Sequence, residues 1–89
     1  MNFTWNDGKR QANLKKHRLD FADASRVFAG HTLTRRDTRF SYGEARFSTV
    51  GLLGVGVVVI AHTETEDTIQ VILMRKAERH EREYYFASL

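Results

Sequence analysis

Apolar residues follow two different periods along this chain. Up to residue 30 they are either nearly absent or spaced as on a helix; from residue 46 to 74 they alternate or run continuously, as in strands. A short extended piece, Asn2 to Trp5, comes first. With Asn6 or Asp7 as its cap, a helix is expected from about Asp7 to Arg18. This helix lacks the usual amphipathic stripe, because Ala12 and Leu14 are its only apolar side chains. Lys9, Asn13 and Lys16 fall instead within one narrow arc, with His17 at its edge. A helix this polar is either a solvated spacer or a face that meets something anionic.

A second helix follows with an ordinary buried stripe. Asp20 is its expected N-cap, Asp23 occupies the capping-box position, Phe21, Ala24 and Phe28 share one face, and Gly30 ends it. Arg46 to Val50 alternates as a half-buried strand, and Gly51 with Gly54-Val55-Gly56 marks a hairpin. Val57-Val58-Val59-Ile60 is continuously apolar and β-branched, which suits a central strand covered on both faces. A polar turn from Thr63 to Asp67 leads to a strand from Thr68 to Met74. A final helix starts at Lys76 or Ala77 and reaches about Ala87, with Arg79 and Glu83 spaced for an i,i+4 pair. The order is β-α-α-β-β-β-α, an α+β fold in which an antiparallel sheet is packed by helices. Arg35 to Tyr42 is a further edge-strand candidate without a firm place in that order.

Eighty-nine residues supply one core, so residues 1–89 are expected to form a single domain. Cysteine is absent, which excludes a disulfide framework and thiolate metal sites and fits a reducing cytoplasm. The longest apolar run, Val55 to Ala61, is too short to span a bilayer. The net charge is +3, and the basic residues lie in three groups. Lys9, Arg10, Lys15, Lys16 and Arg18 form the first, Arg35, Arg36 and Arg39 the second, and Arg75, Lys76, Arg79 and Arg82 the third. Such a surface favours phosphate-rich or acidic partners; ordinary solvated charge is the plain alternative.

Few residues suggest chemistry directly. His62 and Glu64 share one face of a strand end, as a general base and its orienting acid do; a strand-end histidine beside a solvated acid explains them equally well. No pair among the four histidines has the i,i+4 spacing of a helical metal site, His62 and Glu64 would supply two ligands without a third, and no glycine-rich loop precedes a helix as a phosphate cradle. Permanently positive groups near element ends remain: Lys9, Lys16, Arg46, Arg75 and Arg79. These suit phosphoryl transfer, in which charge builds on nonbridging oxygens. RNA brings its own nucleophile, the 2′-hydroxyl, so a protein need only position it and balance charge. Tyr84, Tyr85 and Phe86 suit base stacking or, more commonly for such a patch, the core.

Taken in order, these residues resemble the BrnT family of toxins from type II toxin–antitoxin systems. The matching positions are Trp5, Lys9, Asn13, Lys16-His17, Phe21, Ala24 and Phe28, then Gly43-Glu44, Arg46, Gly51, the valine strand and His62-Thr63-Glu64. Arg75-Lys76-Ala77, Glu81-Arg82 and Tyr84 or Tyr85 complete the pattern. The resemblance implies a RelE-like fold and a cytoplasmic endoribonuclease that needs no cofactor. It also implies a BrnA-like ribbon-helix-helix antitoxin, with operator DNA reached only through that partner. On this reading Lys9, Lys16, His62, Glu64 and Arg75 are the catalytic candidates. Asn13, His17, Glu44, Arg46, Arg79 and Tyr84 are the RNA-binding ones, and no residue is assigned to a metal. The chain departs from the family pattern at Thr65, Gln70 and Leu73, where two arginines and a serine are usual. An inactive homologue that binds antitoxin and tunes repression is therefore the alternative function.

Overall fold

The computed structural model describes residues 1–38 and 43–89. Its elements run β1 (Asn2–Trp5), α1 (Asp7–His17), a 3₁₀ turn (Phe21–Asp23), α2 (Ala24–Phe28), β2 (Thr32–Asp37), β3 (Arg46–Leu53), β4 (Gly56–Glu64), β5 (Thr68–Lys76) and α3 (Arg79–Ala87). The fold is α+β, as the periodicity predicts, with five strands in the order β1-β5-β4-β3-β2. The sheet is mixed, because β1 runs parallel to β5 while every other pairing is antiparallel. A strand followed by a helix and a crossover returns in that sense, which adjacency along the chain does not reveal. The edge-strand candidate becomes β2, beginning three residues earlier than expected; Arg39 to Tyr42 lie outside the described residues.

β4, the valine strand, is central and its residues 57–60 are buried. Its alternation feeds two cores. Val58 and Ile60 meet Ile69, Val71, Met74, Phe21, Ala24 and Val27 beneath α2, while Val57 and Val59 meet Val50, Ala77 and Tyr85 beneath α3. Gly51 lies inside β3 rather than at a turn. A Cβ there would come within 2.7 Å of Val27 Cγ1, so α2 sits on bare backbone. Gly54, with φ +63°, supplies the left-handed residue of the β3–β4 hairpin.

α1 is attached by polar bonds. Asn6 caps it, accepting from the Lys9 N–H at 3.0 Å. Leu14 is 40% exposed, and the buried residue of the helix is Asn13. β1 pairs with β5 only over Thr68 to Val71, leaving the rest of that strand edge open. Asn13 closes it: its Nδ2 donates to Met74 O at 3.0 Å, and its Oδ1 accepts from Met74 N–H at 3.1 Å. One side-chain amide thus takes up the strand edge three residues beyond the last β1 pair. Nδ2 also donates to Leu19 O, and Arg10 grips Asp20 with bonds of 2.7 and 2.9 Å. Asp20 caps the 3₁₀ turn through Ala22 N–H, whereas Asp23 faces Arg26 rather than completing a capping box.

Asn13→Ala should leave the Met74 N–H and C=O buried without partners and cost roughly 2–4 kcal/mol. Asn13→Asp should do no better, since a carboxylate cannot donate to Met74 O. Urea unfolding of the three chains checks this; an Asp variant as stable as the parent would remove the bracket from the account.

Candidate active site

Strand alternation gives the sheet face beneath α3 an uneven floor. Register aligns Arg35, Ser48, Ala61 and Leu73 in one row across β2, β3, β4 and β5. The two middle members are small, so the row forms a trough roughly 14 Å long at normal strand spacing. Arg75, two residues beyond Leu73, projects from the same face of β5. A cavity of about 410 Å³ at the β2 end is lined by Arg35, Arg36, Asp37, Ser48, Arg75 and Glu81. A second, of about 180 Å³, shares Arg35, Ser48 and Glu81 and adds His80 and Tyr84. At the β5 end, Leu73 borders a groove of about 300 Å³ that Lys9, Lys16 and His17 flank from α1.

The trough has α3 as its wall because α3 is anchored at both ends. Glu81 receives Arg75 through two bonds of 2.8 and 2.9 Å and accepts the Glu78 N–H at 2.7 Å. The hydrogen bonds from Arg75 hold the Glu81 carboxyl at about 2, well below the usual range, against the opposing effect of burial. Farther along, the buried Tyr85 donates through Oη to His31 O at 2.9 Å. Tyr84 and Phe86 are exposed on either side of it, and the Arg35 guanidinium lies 5.2 Å from the centre of the Tyr84 ring.

The residues singled out in the sequence therefore separate. Lys9, Lys16 and His17 occupy one end of the trough, and Arg75 and Tyr84 the other. Arg46 pairs across from Asp37 and shares the trough face by alternation with Ser48; Glu44 is exposed in the bend before β3. Arg79 is exposed and bonded to Glu83 at 2.9 Å, the expected i,i+4 pair. Three of the residues lie away from the cleft. Asn13 is buried and held by backbone, so its amide cannot reach RNA. His62 projects from the opposite face of the sheet, fully buried between Phe28 and Phe47, with Nε2 2.7 Å from Thr49 Oγ1. A proton acceptor for a polymer substrate cannot work there, and Glu64, on that same face of β4, is also remote from the arginine cleft. Alternation with Val58 and Ile60 already marked His62 as a core position. Conversely, Arg35, Arg36, Ser48 and His80 were missed; placing β2 would have brought the first three together. Among the described residues, no three His, Asp or Glu side chains converge as a metal site.

Fold and cleft together define a small α+β domain with an arginine-lined trough suited to a polyanion. The chain belongs to the BrnT family: residues 5–81 match the model of the ribonuclease toxin, BrnT, of type II toxin–antitoxin systems. The match runs from the last residue of β1 to Glu81 in α3, so it covers β2 to β5 and the arginine cleft and stops short of Tyr84. Curated proteins include none that matches. Family membership makes this a ribonuclease-toxin domain with an antitoxin as its partner. No helix among the described residues is long and apolar enough to cross a membrane.

Two pH effects follow. Burial lowers the His62 value below 6.5, with the Glu64 charge opposing, so the unfolded chain takes up a proton that the folded chain refuses. Stability should be fully present above about pH 6.5 and decline below it, and His62→Phe should flatten that decline in urea midpoints. Glu81 acts lower: its stabilisation is present above about 4.5 and lost as pH falls toward about 2. Glu81→Gln should shed less stability across that window than the parent; equal losses would detach Glu81 from acid unfolding.

Proposed function

We propose that this chain is an endoribonuclease toxin that cuts RNA without a metal, holding the scissile phosphate in the trough. The supporting observation is the meeting of Arg35 from β2 with Arg75 from β5 on one polar cleft, with Arg36 at its edge. Cleavage begins when the 2′-oxygen attacks the adjacent phosphorus, and negative charge builds on the nonbridging oxygens. Fixed guanidinium groups stabilise that charge without reorganising. Glu81 keeps the Arg75 fork in one plane at the cleft wall. Lys9 and Lys16 hold the adjoining backbone at the α1 end, with His17 beside them. Tyr84, backed by Arg35, offers a ring for an unpaired base, and Arg46 shares the trough face beside Ser48. Neutralisation falls to a BrnA-like ribbon-helix-helix antitoxin that carries the pair to operator DNA, and the whole cycle takes place in the cytoplasm.

A second reading is an inactive homologue that binds antitoxin and tunes repression. What favours it is the neutral middle of the trough: Leu73 is apolar, and Gln70 is bonded to Thr63 at 3.2 Å.

The purified chain should cut a defined RNA in excess EDTA. Arg75→Ala should lower the rate by about 10²–10³-fold, and Arg75→Lys, which keeps the charge but loses the fork, should restore only part. Arg35→Ala with Arg36→Ala should weaken single-strand RNA binding and reduce its salt slope by about 1.4. A folded chain that binds antitoxin yet cuts no RNA, free or on ribosomes, would decide for the second reading.

A further inference from the structure

With His62 sealed in the opposite core, the trough needs another proton acceptor, and its lining contains one. We propose that His80 takes the 2′-hydroxyl proton; this rests on the ribonuclease reading above. His80 is the second residue of α3, and its ring lines the cavity of about 180 Å³ together with Arg35, Ser48, Glu81 and Tyr84. Arg35, Ser48 and Glu81 line both that cavity and the larger arginine cleft, so an acceptor at His80 is next to the place where phosphate would sit. Among the other titratable groups lining the trough, Asp37 stands across from Arg46 in the β2–β3 register, and the rest are engaged or distant. Glu81 is clamped by Arg75, His17 lies at the α1 end, and His31, at the far end of α3, is 3.1 Å from Ser88 Oγ. Among the described residues, His80 is the histidine that the arginine end presents to solvent.

Its surroundings suit the role. Nδ1 lies 3.6 Å from Glu78 Oε2, so a carboxylate stands near the imidazolium formed when the ring takes a proton. That leaves Nε2 as the acceptor. The charged and titratable groups around the ring are Glu78 and Glu81 from α3, Arg35 from β2 and the Tyr84 hydroxyl, with the Arg79–Glu83 pair on the outer side of the helix. Imidazole is the side chain suited to exchanging a proton near neutral pH. In the step, His80 removes the 2′-hydroxyl proton as the 2′-oxygen–phosphorus bond forms. The phosphorus–5′-oxygen bond breaks, and the leaving oxygen takes a proton from water. His80 then returns its proton to solvent. The products are a 2′,3′-cyclic phosphate and a 5′-hydroxyl.

Single-turnover cleavage of a defined RNA between about pH 5 and 8, for the parent, His80→Gln and His80→Ala, tests the assignment. Both variants should cut at least about 100-fold more slowly, lose the acid limb of the rate profile and bind a 2′-deoxy, uncleavable analogue as the parent does. Added imidazole should restore part of the His80→Ala rate. Cleavage within about threefold of the parent with the acid limb intact overturns the role of His80 alone. So does a matching loss of analogue affinity, which would make His80 a binding residue. A parent that cuts no RNA overturns the ribonuclease reading and this role together.

Discussion

The pair of hydrogen bonds between the Asn13 amide and the Met74 backbone is the contact on which the arrangement turns. α1 has no apolar stripe, so hydrophobic burial cannot set its position; a two-point bond to one peptide unit sets both distance and rotation. Leu19 O takes the same amide, and the Arg10–Asp20 pair fixes the chain leaving the helix. Lys9 and Lys16, one turn before and three residues after Asn13, then have no choice but to flank β5 beside Leu73. What looks in sequence like a phosphate-binding arc is a polar anchor with a cation on each side.

That anchor decides how the two sheet faces are used. α2 covers the middle of one face, down to the bare backbone of Gly51, and His62 is buried there with the hydrocarbon. On the other face α3 is only nine residues long, and a helix of that length has little stability by itself. Tyr85 and Ala77 give it an apolar footing, while the Arg75–Glu81 bonds hold its first turn. It covers Val50, Val57 and Val59 and leaves the row from Arg35 to Leu73 open. The trough is the part of the sheet that a short helix cannot reach.

Much of the architecture was legible because the signals were local. The Asn6 cap, the valine strand, the Gly54 hairpin and the Arg79–Glu83 pair each depend on neighbours a few residues apart. Errors arose where the deciding partner is distant in sequence. The parallel return of β1 onto β5 and the Asn13 bonds to Met74 span about sixty residues, and nothing local announces them. The site follows the same rule. Arg75, Tyr84, Lys9 and Lys16 stood out by charge or aromaticity, but Arg35 joins them only through a four-strand register. His62 shows the opposite failure: its chemistry drew attention, while the alternation that buries it was on the page already.

Charge around the trough bears on how it would hold a nucleic acid. Arg35, Arg36 and Arg75 share the cleft with Asp37 and Glu81, so the arginine excess there is a single charge. Glu81 both aims Arg75 and reduces its field, which favours a ligand matched in geometry over any passing anion. Between the arginine end and the lysine end, Ala61 and Leu73 contribute no charge. Phosphates are then favoured at the two ends and sugar or base across the middle. On that distribution a polyanion would be gripped at the two ends more than at the centre, with Arg75 kept in one orientation by its two bonds to Glu81.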